Sequence, residues 1–596
     1  MKNLKVNKNK RRSHPILNKI SKFVSIICIV LAIALAVQVV LLQIFPMALV
    51  IPAVAVVLLI SLVLFLVLNY RTSRFMSKFL CLLLVVIVTA GYGFGNYAIF
   101  KLTYMFHEVT NLTDHIVNTV SVLSPVDSPI SSLEDLDGKA IGTVPSLDEE
   151  GTKRCLKDLK RKGIDVTVYE YDKLQDLLDD MFKNHSSEGI VLSASLESAV
   201  HDLGTYDTLN TMVKKVHTTT YKTSREKQTE SSLNRVKNIT SDAFTILISG
   251  NDSYGTLAEN SRSDVNMLVT INPKTQTVLM TSIPRDYYVP MACAIEDEQC
   301  PDGQFDKLTH TGLFGVETTD KTLEEFLGVP VNYTVRVNFS SLVNLVDSLG
   351  GVDVYVEEGN EVANFSANSS LGVEAGWNHM EGERALAYSR ERHAYQDGDN
   401  QRVKNQQAVL EAMVKKITSP SMIVNFGSFV DALSSAFETN MPSDQILSFI
   451  RYQFTLNPKW HFESYSLVGV SSNEYCASLG DYAAVALGYM ESIETAKEKI
   501  DAVIHGKSAD DVEAKDANQL QGSSLLQSNM DSQQQNDSVP QETVPQQPEY
   551  QEPAYQPDYS YDQSYQEDMT NQVPNSTTEP SYDDSSDYDP NAEYGQ

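Results

Sequence analysis

Three long apolar runs open the chain. Residues 23–45, 47–68 and 79–100 contain no Asp, Glu, Lys or Arg, and each reaches the roughly 20 residues that a helix needs to cross the hydrocarbon of a bilayer. Only Pro46 and its neighbours separate the first two runs, and a proline there ends or kinks a helix. The pattern predicts three membrane-spanning helices, with two spans as the alternative.

Basic residues flank these runs on one side. They precede the first run and lie between the second and the third: Lys2, Lys5, Lys8, Lys10, Arg11, Arg12, Lys19, Lys22, Arg71, Arg74 and Lys78. Because such segments stay in the cytoplasm, residues 1–22 are predicted to be cytoplasmic and everything after Phe100 extracytoplasmic. The first run lacks the cleavage site of a removed signal peptide. We therefore expect a multi-pass protein of the cell membrane with its chemistry outside the cell.

Residues 101–234 mix helical and strand patterns. Three short segments have the apolar or alternating character of strands: Lys139–Val144, Gly163–Tyr169 and Gly189–Ser193. Tyr171–Lys183 carries leucines at helical spacing. The pattern predicts a small α/β accessory domain, and the polar stretch Thr218–Ser232 is predicted to link it to the next domain.

Strand and helix patterns alternate through residues 235–510. Four segments predict strands: Phe244–Ile248, Val265–Ile271, Val278–Ile283 and Tyr333–Val337. Three segments predict helices: Thr322–Leu327, Ser340–Leu349 and Val403–Ile417. Such alternation is typical of an α/β sandwich around a mostly buried sheet. The fold class predicted for both extracytoplasmic domains is therefore α/β.

The character of the chain changes after Lys515. No Lys or Arg follows it, and Gln, Pro, Ser, Asp, Glu and Tyr dominate. Such a composition cannot bury enough apolar surface to offset the entropy of ordering the chain. Residues 511–596 are therefore predicted to form a disordered acidic tail. Its tyrosines either contact wall polymers or belong to a solvated spacer.

The net charge, the motifs and the cysteine content argue against several classes of function. The formal net charge of −30 at pH 7 repels polyanions, so a nucleic-acid partner is not expected. No G-x-x-x-x-G-K-[ST] motif is present, so ATP dependence is not expected either. Among the six cysteines no C-x-x-C pair indicates structural zinc. Cys293 and Cys300 are compatible with one disulfide or with two free thiols.

Two carboxylates lie at the ends of consecutive predicted strands. Asp252 follows the first strand of the large domain and Asp264 precedes the second, so both lie at one rim of the sheet if these strands pair. A Mg²⁺ ion bound to phosphate oxygens typically takes one or two protein carboxylates. The pair is a candidate site for Mg²⁺, with Mn²⁺ as the alternative ion, although Asp is also a common cap of loops and helices.

Arginines cluster at predicted loop ends near these carboxylates. Arg262 lies two residues before Asp264, Arg285 ends another strand, and Lys307 adds a point charge further on. A last group clusters in the stretches Tyr388–Arg392 and Asn400–Arg402: Arg390, Arg392 and Arg402. A guanidinium group donates paired hydrogen bonds and stays charged, which suits phosphate oxygens. Each arginine alone is explained by a solvated ion pair, but together they indicate an anion site.

Four sequence blocks in the large domain resemble the signature blocks of the LytR-CpsA-Psr family. They occur in the family's order: Ser261-Arg262-Ser263-Asp264, Ile283-Pro284-Arg285-Asp286, Val346-Asp347-Ser348-Leu349-Gly350-Gly351-Val352 and Ala385-Leu386-Ala387-Tyr388-Ser389-Arg390-Glu391-Arg392, followed by Asp399, Arg402, Gln406 and Gln407. Met291–Gly303 looks like a local insertion. The three-span anchor and the small domain resemble the capsule-associated branch of the family.

The resemblance implies roles for individual residues. Asp252 and Asp264 become the Mg²⁺ carboxylates, and Asp399 becomes the candidate base that activates the acceptor. The pyrophosphate is expected to be gripped by Arg262, Arg285, Lys307, Arg390, Arg392, Arg402 and Gln406. Arg262 and Arg285 are also expected to act in catalysis.

The implied function is that of a polyisoprenyl-glycan phosphotransferase. It would attach capsular polysaccharide from a polyprenyl-pyrophosphate carrier, whose tail lies in an apolar tunnel, to peptidoglycan. The expected partners are the lipid-linked glycan, peptidoglycan, the membrane and other capsule-assembly proteins. Three alternatives stay open: a teichoic-acid cargo, a polyprenyl pyrophosphatase that uses water as acceptor, and a membrane-bound regulator of capsule expression or chain length that binds lipid-linked glycan without chemistry.

Overall fold

The computed structural model describes most of the chain up to residue 526. The described residues are 15–42, 47–72, 74–109, 115–224, 234–251, 257, 259–294, 299–419, 429, 432 and 437–526. Residues 511–526, where the acidic tail was predicted to begin, include the buried Leu520 and a bridge between Leu525 and Tyr489. The rest of the predicted tail lies outside the described residues.

Three long helices form the N-terminal part: α1 (Pro15–Leu42), α2 (Met47–Leu66), which ends in a π-helical turn over Val67–Arg71, and α3 (Phe75–Val109). All three are long and apolar enough to cross a membrane.

Polar side chains tie the three helices together. The Asn69 amide donates to the hydroxyl of Ser25 over 3.0 Å, and the Asn96 amide donates to the carbonyl of Leu31, also over 3.0 Å. Water is absent from the hydrocarbon, so such groups find partners on neighbouring helices. The three helices therefore associate through specific contacts as well as apolar packing.

A five-stranded sheet forms the accessory domain, in the order β3-β2-β4-β1-β5. Its strands are β1 (His115–Pro125), β2 (Ala140–Thr143), β3 (Thr167–Glu170), β4 (Gly189–Ser193) and β5 (Val213–Ser224). Its helices are α4 (Glu149–Arg161), α5 (Leu174–Asp179), α6 (Ala194–Ala199) and α7 (Leu209–Met212). The strand β2 is parallel to β3 and β4, whereas β1 is antiparallel to β4 and β5.

The polar stretch after Thr218 begins as strand and not as a link. Residues 218–224 are the second half of β5 and pair with β1 up to the partners His115 and Ser224. The prediction of a link was wrong for these residues, because a polar composition does not exclude a strand. The threonines here are β-branched and favour strands.

A six-stranded mixed sheet organises the large domain, in the order β14-β11-β6-β7-β8-β15. The strands of this domain are β6 (Phe244–Gly250), β7 (Val265–Asn272), β8 (Thr277–Ile283), β9 (Tyr288–Pro290), β10 (Phe305–Lys307), β11 (Tyr333–Val337), β12 (Val352–Val356), β13 (Gly376–Met380), β14 (Glu438–Thr439), β15 (His461–Ser466), β16 (Gly469–Cys476) and β17 (Asp481–Gly488). Its helices are α8 (Val316–Leu327), α9 (Phe339–Ser348), α10 (Gly382–Arg390), α11 (Asp399–Ile417), α12 (Ser443–Leu456) and α13 (Met490–Ile504).

Helices cover both faces of this sheet. Leu247, Leu268 and Leu279 pack on one face with buried residues of α8 and α13. Met267, Val269 and Met280 pack on the other face, beneath α12. Successive strand residues alternate between the two faces, which explains the almost continuous apolar sequence of β7 and β8. The predicted α/β fold is confirmed.

The accessory domain and the large domain share one apolar core. Leu177 and Leu203 of the accessory domain belong to the same buried cluster as Tyr288, Cys476 and Val485 of the large domain. The ribbon β16–β17 therefore forms part of the interface. Of the two states left open for Cys293 and Cys300, the structure has the disulfide.

Candidate active site

The strands on either side of the predicted carboxylate pair are neighbours in the sheet. The strands β6 and β7 are antiparallel neighbours with Gly250 opposite Val265, and the backbone N–H of Asp264 donates to the carbonyl of Gly250 over 2.7 Å. Asp264 thus lies at the rim of the sheet. Asp252, the second predicted metal ligand, lies outside the described residues.

Asp264 is surrounded by arginines. Nη1 of Arg285 donates to Oδ1 of Asp264 over 3.2 Å, the hydroxyl of Thr309 donates to the same oxygen over 3.0 Å, and Nη2 of Arg262 lies 3.8 Å from Oδ2. Burial on its own raises the pKa of this carboxyl, but the charges of Arg285, Arg262 and Arg402 outweigh it and lower the pKa to about 2. The carboxylate is therefore ionised at neutral pH.

The first turns of α11 supply Arg402, which together with Arg262 and Arg285 forms the arginine cluster around Asp264. Nη2 of Arg402 lies 2.5 Å from Oδ1 of Asp399, and its charge acts on Asp264. One turn later, Nε2 of Gln406 donates to the carbonyl of Ser389 over 3.3 Å. This bond fixes the end of α10 against α11. Burial lowers the pKa of Arg402, and the charge of the nearby Arg392 contributes to this shift.

Arg390 and Arg392 have no carboxylate partner among the described residues. The Arg390 guanidinium lies 4.2 Å from the centre of the Phe339 ring, a cation–π contact, and its side chain is exposed. Arg392 is half-buried, and its Nε lies 3.4 Å from a ring nitrogen of His393. These two positive charges are available to an anionic ligand.

Two arginine donors in the cluster are short of acceptors. Nε of Arg285 and Nε of Arg402 are buried and make no hydrogen bond in the structure. A buried polar group without a partner costs on the order of 1–3 kcal/mol. An anion at this rim would supply acceptors to both donors.

Lys307 is engaged by carboxylates. Its Nζ donates to Oδ1 of Asp202 over 2.7 Å and to Oδ1 of Asp286 over 3.2 Å, and its side chain is 3% exposed. In this arrangement Lys307 joins Asp202 to Asp286, and these three residues form one wall of the site. Its predicted role in gripping pyrophosphate stays a prediction, as do the roles of the other site residues.

The residue at the centre of that wall, Asp202, is not predicted from the sequence. Asp202, just after α6 in the accessory domain, accepts hydrogen bonds from Lys307 and, over 3.0 Å, from Nε2 of His310. Nη1 of Arg262 donates to it over 3.2 Å. No local pattern marks Asp202, because its partners lie in another domain.

His310 is the second residue that was missed. It is fully buried, its Nδ1 bonds to Asp306 over 2.6 Å, and Cys476 lies close enough to share a metal ion with both. Burial lowers the pKa of His310, but Asp306 and Asp202 raise it to about 9. Both ring nitrogens of His310 bond to carboxylates, Nδ1 to Asp306 and Nε2 to Asp202, so the group forms a buried ion-pair network.

The rim fits a divalent cation better. Asp264 is ionised. Its Oδ2 makes no hydrogen bond to any described residue, and Nη2 of Arg262 lies 3.8 Å from this oxygen. Oxygen ligands of this kind are the ones that Mg²⁺ prefers.

Comparison with known proteins places this arrangement in a family. The model of the LytR_cpsA_psr family matches residues 206–498. A polyisoprenyl-teichoic acid–peptidoglycan teichoic acid transferase (TagU) of Bacillus mycoides is 31% identical over 259 residues, 43% of this chain and 79% of that protein. The corresponding TagT of Bacillus subtilis is 35% identical over 220 residues, 36% of this chain and 65% of that protein. A crystal structure of a Streptococcus agalactiae protein is 28% identical, with a TM-score of 0.39, and covers 45% of this chain and 89% of that one. The matched segment contains every described residue of the arginine cluster, and the chain belongs to the LytR-CpsA-Psr family.

Proposed function

We propose that this chain is a polyisoprenyl-glycan phosphotransferase that moves a glycan phosphate from a polyprenyl-pyrophosphate carrier to peptidoglycan. The observation that carries the proposal is the convergence of Arg262, Arg285 and Arg402 on the ionised Asp264. Relatives named as transferases of teichoic acid from a polyisoprenyl carrier to peptidoglycan support it.

The reaction exchanges one phosphorus–oxygen bond for another. A sugar hydroxyl of peptidoglycan attacks the phosphorus atom that carries the glycan, a bond forms to the acceptor oxygen, and the anhydride bond to the polyprenyl phosphate breaks. The hydroxyl proton passes to a base, and polyprenyl phosphate leaves. Positioning and electrostatic stabilisation dominate such transfers, and arginines at a preorganised rim provide both.

The residues divide into groups by their contacts. Arg285 and Arg402 present buried donors that lack acceptors, and Arg390 and Arg392 carry charge that no described carboxylate neutralises. Asp399 is the candidate base, next to Arg402. Asp264 together with Asp252 would hold Mg²⁺, or Mn²⁺ as the alternative, and the ion would act as a Lewis acid on the phosphoryl oxygens.

The anchor and the disulfide support an extracytoplasmic site. Three apolar helices confine the enzyme to the surface on which a polyprenyl carrier moves. The Cys293–Cys300 disulfide is typical of oxidising compartments. We propose capsular polysaccharide as the cargo, with other capsule-assembly proteins as partners, because the anchor and accessory domain resemble the capsule-associated branch.

The test uses the full-length protein in lipid nanodiscs. Lipid-linked capsular precursor and lipid-linked teichoic acid are offered separately, each with Mg²⁺ and soluble peptidoglycan fragments, and the glycan–peptidoglycan conjugate is measured. We expect Asp264→Asn to lower the rate at least about 100-fold. Asp501→Asn, a change of the same charge at a 69% exposed side chain on α13, should leave the rate unchanged.

The products separate the alternatives. Conjugate from the capsular precursor supports the proposal in full, whereas conjugate from teichoic acid alone changes the cargo. Release of polyprenyl phosphate without conjugate would identify a pyrophosphatase. Binding of the precursor with neither product would favour a regulator and overturn the enzymatic proposal.

A further inference from the structure

The loop that carries Arg262 and Asp264 is held from the accessory domain. This loop joins β6 to β7, and its described part after Gly250 includes Glu259–Asp264. The hydroxyl of Thr119 on β1 donates to Oε1 of Glu259 over 2.6 Å, and the hydroxyl of Ser195 on α6 donates to the carbonyl of Asn260 over 3.3 Å. Both contacts cross from one domain to the other.

The next two contacts reach the arginine itself. Nε of Arg262 donates to the hydroxyl of Ser198 over 3.0 Å, and Nη1 donates to Oδ2 of Asp202 over 3.2 Å. Ser195, Ser198 and Asp202 are spaced i, i+3 and i+7 along α6 and the 3-10 turn that follows it, so they share one face. A single helical segment therefore contacts two residues of the loop, Asn260 and Arg262, through three side chains.

Asp202 also contacts the segment that follows β10. Its carboxylate accepts from Lys307 and His310, which lie at and just after the end of β10. Its side chain is 6% exposed, so solvent screens these ion pairs little. One carboxylate thus connects the loop after β6 with the segment after β10, and Asp264 lies between Arg262 and Thr309 of those two segments.

The accessory domain is fixed well enough to act in this way. Its core is continuous with that of the large domain through Tyr288, Cys476 and Val485, and Nζ of Lys173 in the accessory domain lies 3.9 Å from Oδ1 of Asp481 in the large domain. Ser195, Ser198 and Asp202 all precede residue 206, where the match to the family model begins. These contacts therefore come from outside the part of the chain that the family model describes.

We infer that the accessory domain completes the active site, with Asp202 as a positioning residue that holds Arg262 and Lys307 in place for the transfer reaction. The inference rests on the proposed function. Among the described residues, Asp202 hydrogen-bonds to Arg262, Lys307 and His310, so it acts on the reaction through Arg262. Loss of its charge releases Arg262 and leaves three cationic side chains without their common partner.

The experiment is a double-mutant cycle in the full-length protein in nanodiscs. The rate of conjugate formation is measured with a polyprenyl-pyrophosphate-linked disaccharide and soluble peptidoglycan fragments. We expect Asp202→Asn to lower kcat about tenfold or more, Asp202→Glu to restore part of that loss, and Asp207→Asn, at an exposed aspartate on the same segment, to behave as wild type.

The cycle distinguishes positioning from general stability. Arg262→Lys should be non-additive with Asp202→Asn, because both remove the same contact, whereas Arg390→Lys, which has no contact with Asp202 among the described residues, should be additive. Additive losses in both pairs, or full activity of Asp202→Asn, would overturn the inference. If wild type forms no conjugate, the proposed function fails instead.

A second variant covers loss of folding. Unfolding midpoints are measured first, and if Asp202→Asn does not fold, Ser198→Ala decides. This change removes only the Ser198 hydroxyl that accepts from Arg262. A fall in kcat with an unchanged unfolding midpoint supports the inference, and an unchanged kcat overturns it.

Discussion

Burial and neighbouring charges shift the pKa values of several side chains in this protein. Asp264 lies among arginines, and its pKa falls to about 2. His310 lies between Asp202 and Asp306, and its pKa rises to about 9. Burial raises the pKa of Asp320 to about 7, and the charges of Glu324 and Glu317 contribute to the rise. Each shift makes the stability of the fold depend on pH in a predictable sense.

The His310 network should weaken at alkaline pH. Because the folded-state pKa is raised above the ordinary 6.5, the stabilisation is fully present below about pH 6.5 and is lost as the pH rises through about 9. The groups around the ring include Asp202, Asp306, the Ser478 hydroxyl and the Cys476 thiol. Unfolding midpoints between pH 6 and 10 should fall for wild type and change much less for His310→Asn. His505→Asn, at a 64% exposed histidine, should retain the wild-type profile.

Asp320 should destabilise the fold at neutral and higher pH. Its Oδ2 accepts from the Thr334 hydroxyl over 3.0 Å, but its Oδ1 is buried without a hydrogen bond. A carboxyl whose pKa is raised in the folded state costs stability increasingly as the pH rises from about 4 through 7. We expect Asp320→Asn to stabilise the protein by about 1–2 kcal/mol at pH 8 and hardly at pH 4. Asp353→Asn, at a 56% exposed side chain, is the control, and equal effects of both changes would contradict the explanation.

At the scale of elements, short turns hold the arginine-bearing segments in position. Glu391 accepts hydrogen bonds from the backbone N–H groups of residues 392–394 and from Ser366, so it shapes the turn between Arg390 and Arg392. The 3-10 segment Leu308–Phe314 lies directly against the loop before β7. A Cβ at Gly312 would lie 2.5 Å from the carbonyl oxygen of Ser261 and 2.7 Å from the nitrogen of Ser263.

Gly312→Ala should therefore displace Arg262. Backbone atoms cannot yield as a flexible side chain does, so we expect a loss of about 1–3 kcal/mol in stability and a fall of at least about tenfold in the transfer rate. Gly204→Ala, where nothing lies within 4 Å of the added carbon, should change stability by less than about 0.5 kcal/mol. A fully active Gly312→Ala variant would show that the loop can shift without consequence.

Several strands of the large domain could be predicted from the sequence, whereas the start of α8 and the role of Asp202 could not. Apolar runs identified β6, β7, β8 and β11 within two residues, because these strands are buried on both faces. Helix α8 begins at Val316, earlier than the predicted Thr322, because its first turns lack an apolar stripe. The arginines could be found from their type and position at strand ends. Asp202 could not, since it is brought to Arg262 by domain packing and carries no local signal.

At the scale of the whole molecule, the site depends on three separate parts of the chain. The large domain supplies the arginines, the accessory domain supplies Asp202, and the helices α1 to α3 supply the membrane anchor that we propose brings the site to a lipid-borne donor. A disulfide lies in the loop between β9 and β10, beside the strand that ends in Lys307. This bond belongs in an oxidising compartment, in agreement with the basic segments that predict which side faces the cytoplasm.

Orientation can be measured with introduced cysteines. In a background with Cys293→Ser and Cys300→Ser, the described cysteines that remain are Cys28, Cys81, Cys155 and Cys476, which are buried or half-buried. Glu357→Cys places a thiol at an exposed position after β12, and Lys10→Cys places one in the basic N-terminal segment. In intact protoplasts, a membrane-impermeant maleimide should label the first and should label the second only after permeabilisation. The reverse pattern would place the arginine cluster in the cytoplasm, away from peptidoglycan, and the proposed transfer reaction would fail with it.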